Sequence, residues 1–340
     1  MKNSRKNILT FMLSSLIISG VIMLLYSCSE DEEEQLIGNW TEMSDFEGVA
    51  RSDAVAFVID NNAYITTGYD GGDRLFDLWE YNSENDYWLQ KADFPGNPRN
   101  GAVGFGTSTH GYVGTGYDGD EKLNDFWEYD PDSNTWVQIA DFGGSNRYGA
   151  IAFSIDNRGY VGTGYDGNYL KDFWEYNPET GAWTQKISVG GSKRRDAIAF
   201  VINGKGYVCT GINNGTYEYD FWEYDPVTNS WTEKRKIANI SDESYDDEYY
   251  ITRANAVAFS ANGKGYVTTG GGGSLNTVVW EYDPISDLWE QKTGFEGTAR
   301  TEAVAFTLSD RGYVATGRNS SYYFDDVWIF YPEDEYDEYY

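Results

Sequence analysis

One unit is repeated along almost the whole chain, and that repetition limits the fold more than any other feature. Trp-Glu-Tyr recurs at Trp79, Trp127, Trp174, Trp222 and Trp280, with the variant Trp328-Ile329-Phe330, at spacings of 48, 47, 48, 58 and 48 residues. A second Trp stands nine residues after each of the first five, at Trp88, Trp136, Trp183, Trp231 and Trp289. An Arg follows eleven residues later at Arg99, Arg147, Arg194 and Arg300; before Arg253 the gap is 22, an insertion of eleven residues. Repeats of this length are units that cannot bury their apolar face alone and must stack into solenoids or propellers.

Each unit reads as four short strands. The first is the period-2 segment seen in Ala54-Val55-Ala56-Phe57, Ala150-Ile151-Ala152-Phe153 and Ala303-Val304-Ala305-Phe306. Its small members, such as Ala102 with Gly104 and Ala256 with Ala258, suit an innermost strand where blades converge. The second strand is Gly-Tyr-Val-x-Thr-Gly, as in Gly111 to Gly116. The third is Trp-Glu-Tyr, and the fourth starts at the second Trp. Turns such as Asp130-Pro131-Asp132-Ser133-Asn134 join the last two, with Pro early and Asn late. The two Trp are expected to pair across that hairpin. The last unit lacks its second Trp, while an orphan Trp40 stands eleven residues before Arg51. A strand around Trp40 therefore closes the last blade and leaves no open sheet edge. The expectation is an all-β, six-bladed β-propeller of four-stranded antiparallel blades over residues 36–332, followed by an acidic, Tyr-rich tail over 333–340.

The Arg, the Gly-Tyr-Val-x-Thr-Gly strand, the Trp-Glu-Tyr-Asp-Pro hairpin and the second Trp resemble kelch repeats, with Thr-Gly where kelch units commonly carry Gly-Gly. The resemblance implies the propeller and says little of activity, because function is carried by loops grafted onto the blades. Galactose oxidase shares kelch blades, but its copper site requires two His and a Cys-crosslinked Tyr, and this chain has one His. A copper oxidase is excluded.

The first 27 residues carry Lys2, Arg5 and Lys6 and no acid, with an apolar run from Ile8 to Leu25, and Leu25-Tyr26-Ser27-Cys28 ends the segment. This resembles a bacterial lipoprotein signal, which implies cleavage before Cys28 and lipidation of that residue; Tyr26 departs from the small residue usual there. The alternative is an uncleaved membrane anchor of about 18 residues. Residues 28–35, with Glu30-Asp31-Glu32-Glu33-Glu34, read as an acidic tether and resemble the signal behind the lipid Cys of surface-exposed Bacteroidetes-type lipoproteins. The implied location is the cell envelope, lipid-anchored to the outer membrane and facing outward.

From residue 28 onward, 22 basic groups stand against 55 acidic ones. Such a surface repels a phosphate backbone, so nucleic acid is excluded as a partner. One His and two Cys supply no zinc or copper ligand set and no disulfide framework. Cys209 reads as a buried free thiol. A monomer is expected.

Repetition separates scaffold from candidate. Asp77, Asp125, Asp172, Asp220 and Asp326 recur and read as scaffold, as do Glu80, Glu128, Glu175, Glu223 and Glu281. Arg51, Arg99, Arg147, Arg194, Arg253 and Arg300 admit two readings. They form structural ion pairs to those acids, or, as the resemblance to some kelch propellers implies, they ring the channel mouth and grip a carboxylate or phosphate. Symmetry breaks in the loops between strands two and three. Three of these carry Tyr69-Asp70, Tyr117-Asp118 and Tyr165-Asp166; the others carry Tyr217, a Gly270 to Gly273 run, and Arg318 with Tyr322. Tyr faces beside Asp and Asn suit a sugar, so these residues form the candidate ligand-binding set. Calcium on Asp70 with Asp73, or Asp118 with Asp120, is the one cofactor left open. His110 reads as a turn residue.

The leading expectation is a non-catalytic binding or scaffold lipoprotein with a glycan or protein ligand on the loop face, and with an insertion at 237–250 that can be removed without loss of fold. The alternative resembles the kelch-type N-acetylneuraminate epimerase: a sugar-acid mutarotase whose substrate carboxylate sits on mouth Arg residues while a Glu or Asp moves the anomeric proton. No acid stands out in the mouth of a single blade, so no catalytic residue is assigned.

Overall fold

A computed structural model describes residues 37–337. Five four-stranded antiparallel sheets run outward in chain order: Val55–Ile59 to Tyr87–Gln90, Val103–Gly106 to Thr135–Gln138, Ile151–Ile155 to Ala182–Lys186, Ile198–Ile202 to Ser230–Glu233, and Val257–Ala261 to Leu288–Lys292. The sixth runs from Val304–Leu308 through Arg311–Ala315 and Val327–Glu335 to Ile37–Glu42. The chain is a six-bladed propeller, and these sheets are blades one to six. Among the described residues there is no α-helix; Ser244–Asp246 make a 3-10 turn.

Closure of the ring rests on Trp40. It lies opposite Phe330 in register, is 0% exposed, and its ring stands 4.7 Å from Phe330, 5.0 Å from Phe295 and 6.3 Å from Phe259. The long strand Val327–Glu335 continues past the expected end of the body at 332, placing Glu335 opposite Ile37. The start of the acidic tail is drawn into the sheet across a register shift between Ile37 and Asn39, where the end of the closing strand still offers a backbone partner.

The interior is six cores rather than one, each shared by two neighbouring blades. Val55, Phe57, Tyr64 and Leu78 of blade one, for example, pack with Val113 and Tyr129 of blade two. The glycine that opens the second strand permits this approach, since a Cβ on Gly111 would fall 2.1 Å from the Phe57 ring. On the inner strands Ala56, Gly104, Ala152, Ala199, Ala258 and Ala305 line the central channel.

The hairpin register differs from the expected Trp–Trp pairing. Tyr81 faces Trp88, with ring centroids 4.8 Å apart, and Trp79 lies opposite Gln90. Asn82 pairs with Tyr87 across the turn, so the fourth strand begins one residue before its Trp and the partner becomes the Tyr of Trp-Glu-Tyr. Glu80 is cross-strand scaffold: it accepts the Tyr64 hydroxyl at 2.9 Å, and Glu175, Glu223 and Glu281 do the same for Tyr160, Tyr207 and Tyr266.

Trp40→Ala is expected to lower stability by about 3–5 kcal/mol, the range for emptying a buried aromatic site. Urea unfolding would read this as a lower midpoint, and an unchanged midpoint would show that the closing strand does not hold the ring.

Candidate functional site

The repeated Arg residues lie beneath the loop face. Arg51, Arg99, Arg147, Arg194 and Arg300 are 0% exposed. Arg51 donates to both Asp77 oxygens at 2.6 and 2.7 Å, to the Thr67 carbonyl at 3.0 Å and, from Nε, to the Val49 carbonyl at 2.8 Å. Arg99, Arg147 and Arg300 repeat this arrangement with Asp125, Asp172 and Asp326, and Arg194 reaches Asp220 through Nη2. Burial alone would raise Asp77, Asp125 and Asp172, but the Arg hydrogen bonds and charge outweigh it and hold these carboxyls below the usual range. Four of the guanidiniums also lie over Phe46, Phe94, Phe142 and Phe295 at 4.7 to 5.0 Å. None of the six Arg lines the cavities of the mouth. Their geometry is that of structural ion pairs, and Arg253 departs from it as described below.

Two residues after each Arg the chain turns into the channel mouth. Asp53, Gly101, Gly149, Asp196, Asn255 and Glu302 all have φ between 52° and 62°. The N–H of each donates to the carbonyl of its counterpart in the preceding blade at 2.9 to 3.1 Å, which closes a ring of six hydrogen bonds. Three acids therefore meet at one mouth, correcting the expectation that no acid stands out there. Asp53 accepts from Asn100 Nδ2 at 3.1 Å, Asp196 pairs with Arg195 at 3.2 Å, and Glu302 holds Arg318 through two bonds of 2.5 and 2.7 Å. Burial, and then the Glu302 charge, raise Asp53 to about 7; burial raises Asp196 to about 6. The signal in the sequence was the position two beyond a repeated Arg, where Asp, Gly, Gly, Asp, Asn and Glu alternate.

Of the loop candidates, Tyr69, Tyr117 and Tyr165 form a band with basic side chains. Arg74 lies over Tyr69 and Tyr117 at 5.4 and 4.9 Å, Lys122 over Tyr165 at 5.8 Å, and Arg195 over Tyr148 and Tyr165 at 5.5 and 5.8 Å. Tyr117 and Tyr165 line a cavity of about 540 Å³ with Asp53, Asn100 and Tyr148. Tyr217 and Arg318 line a second of about 500 Å³, and the two share Arg195, Asp196 and Asn255.

The loop aspartates serve their own turns. Asp70 accepts the Gly72 and Asp73 N–H at 2.8 and 2.7 Å, Asp118 those of Asp120 and Glu121 at 3.0 and 2.8 Å, and Asp166 that of Asn168 at 2.9 Å. These backbone bonds hold Asp70 and Asp118 below the ordinary carboxyl range. Tyr322 is 68% exposed and lines neither cavity. Among the described residues, no group of three or more His, Cys, Asp or Glu is placed to hold a metal ion. Cys28 and its tether lie outside the described residues.

The insertion is part of the core. Ile237 and Ile251 are fully buried, and Tyr249 accepts the Trp289 N–H at 2.7 Å and donates to its carbonyl at 3.1 Å. Removing 237–250 would strip this packing, so the expectation of a removable insertion is corrected.

The mouth carboxyls set a pH dependence. A carboxyl raised in the fold binds its proton more tightly folded than unfolded, so its contribution is complete below the unfolded value of about 3.8 and is lost as pH climbs through about 6 and 7. Melting temperature is expected to fall between pH 5 and 8, and Asp53→Asn to flatten that fall. An identical profile in the variant would show that Asp53 titrates as an ordinary surface carboxyl.

Two family models match the chain: the Kelch motif over residues 50–95 and the KLHDC2/KLHL20/DRC7 Kelch-repeats domain over residues 97–249. Among solved structures the chain is similar to YjhT, with a TM-score of 0.70 and 15% identity over 84% of this chain and 96% of that one, a likeness of fold. No curated protein matches it. With the six closed blades, these matches identify the repeated units over residues 50–249 as kelch repeats.

Proposed function

We propose that the protein is a cell-envelope lipoprotein, held to the outer membrane through Cys28, that binds a glycan in the mouth of its propeller without transforming it. The observation that carries this reading is the pair of adjoining cavities, about 540 and 500 Å³, bordered by Tyr117, Tyr148, Tyr165 and Tyr217. Clefts of this size take small ligands, oriented by a few polar groups on an otherwise apolar wall. Tyr faces supply area for sugar C–H groups, while Asp53, Asn100, Asp196 and Asn255 offer acceptors and donors for hydroxyls. Arg195 and Arg318 are already engaged by Asp196 and Glu302, so a neutral, hydroxyl-rich ligand suits the mouth better than a strongly anionic one.

Mutarotation is a second reading, favoured by one observation: Asp53, raised to about 7, holds an exchangeable proton near neutrality beside a cavity. The engaged Arg195 and Arg318 weigh against it, since a sugar-acid carboxylate held by either would have to displace Asp196 or Glu302.

Thermal melts against neutral and acidic glycans, N-acetylneuraminate among them, test both. A neutral glycan at about 100 times its dissociation constant is expected to add roughly 2.7 kcal/mol, and Tyr148→Ala to abolish the shift. No shift with any glycan would sink the reading and move the search to a protein ligand, by pull-down from the envelope. NMR is expected to show no faster anomer exchange of N-acetylneuraminate; acceleration that Asp53→Asn removes would replace binding with catalysis.

A further inference from the structure

One Arg of the six lacks its carboxylate. Two residues before Trp280, where the other blades carry Asp77, Asp125, Asp172, Asp220 and Asp326, stands Val278. Arg253 nevertheless keeps the orientation of its counterparts, donating from Nε to the Ile251 carbonyl at 3.0 Å and from Nη1 to the Thr269 carbonyl at 3.1 Å. Nη1 also reaches the Val278 carbonyl at 3.3 Å. Its Nη2 has no hydrogen-bond partner, and neither does Trp280 Nε1. The two residues are 1% and 3% exposed.

In blades one, two, three and six these same two donors converge on a single aspartate oxygen. Arg51 Nη2 and Trp79 Nε1 both lie 2.7 Å from Asp77 Oδ2, and Arg99 Nη2 and Trp127 Nε1 both lie 2.8 Å from Asp125 Oδ2. Asp172 and Asp326 are held in the same way. A valine side chain ends one bond short of those oxygens and offers no acceptor. The insertion also closes this place from outside, with the Tyr249 and Tyr250 rings packed edge-on to Trp280 at 5.6 and 5.3 Å, whereas the five equivalent Trp stay partly exposed. Among the described residues, no carboxylate lies within ion-pair distance of Arg253, and the neighbouring Cys209 thiol, raised by burial, brings no negative charge. A guanidinium left in such surroundings without a counter-charge strongly favours an anion.

We propose that Arg253 Nη2 and Trp280 Nε1 bind a small monovalent anion of the halide class, which takes the place of the aspartate oxygen missing from blade five. Two donors whose counterparts meet on a single oxygen in blades one, two, three and six suit a single-atom anion better than a branched oxyanion, whose further oxygens would find only Val278 and the insertion's tyrosines. The site is separate from the mouth and does not depend on the ligand proposed there.

Crystals of the full chain grown in sodium bromide provide the direct test. An anomalous difference peak is expected within hydrogen-bonding reach of both nitrogens, and its absence overturns the proposal. In solution, replacing gluconate by chloride at constant ionic strength is expected to raise the melting temperature by a few degrees. Val278→Asp is expected to melt above the wild type in gluconate and to ignore chloride. Should that variant not fold, Trp280→Phe removes one donor and is expected to weaken the chloride response several-fold. A bromide peak accompanied by a wild-type melt indifferent to chloride marks an adventitious ion only and overturns the proposal.

Discussion

The buried Arg holds each blade in shape through its guanidinium and joins it to the preceding blade through its backbone carbonyl. Arg51 binds its own blade through Asp77 and the Thr67 carbonyl, and its own backbone carbonyl accepts the Gly317 N–H of blade six at 2.7 Å. The same latch recurs from Gly68 to Arg99, Gly116 to Arg147, Gly164 to Arg194, Gly211 to Arg253 and Gly270 to Arg300. It also explains an oddity of the repeat. Thr67, Thr115, Thr163, Thr210, Thr269 and Thr316 all sit at φ between 58° and 62°, where a β-branched residue is strained. The carbonyl of each is fixed by an Arg Nη1, so the guanidinium, paired with a carboxylate or not, maintains the conformation that turns the chain from the second strand into the loop face.

Blade five shows how far that hub tolerates change. There the acid is replaced by Val278, and the eleven-residue insertion lies over the same spot, adding Ile237, Tyr249 and Ile251 to the core of blades four and five. Apolar packing has taken over part of a task that a salt bridge performs elsewhere, as expected when a buried ion pair and a well-filled apolar contact are of similar worth. Arg253 itself stays because its bonds to Ile251 and Thr269 still shape the loop.

The blades were legible because the repeat writes each element six times, and the orphan Trp40 disclosed how the ring closes. The hairpin register was not, since Trp79 and Tyr81 lie on the same face of one strand and either can face Trp88 until the turn is known. The mouth acids escaped for a different reason. Asp53 and Glu302 are far apart in the chain, and only closure of the ring makes them neighbours. Asp70, Asp118 and Asp166 misled because capping a turn and holding a ligand use the same carboxylate chemistry. Of the tyrosines beside them, Tyr117 and Tyr165 do line the mouth, while Tyr69 lines neither cavity.

The hydrogen-bonded ring at the mouth restricts its own vocabulary. Each of the six backbone N–H groups of that ring is engaged by the preceding blade, so the ring offers a ligand no free backbone donor of its own. At φ near 55° the backbone readily admits only Gly, Asn and Asp, which fill five of the six positions, with Glu302 the exception. Carboxylates therefore gather in this throat for a conformational reason before any ligand has selected them. A throat built from so small an alphabet can pass from neutral to acidic by exchanging Gly, Asn and Asp, one blade at a time, with the backbone left where it was.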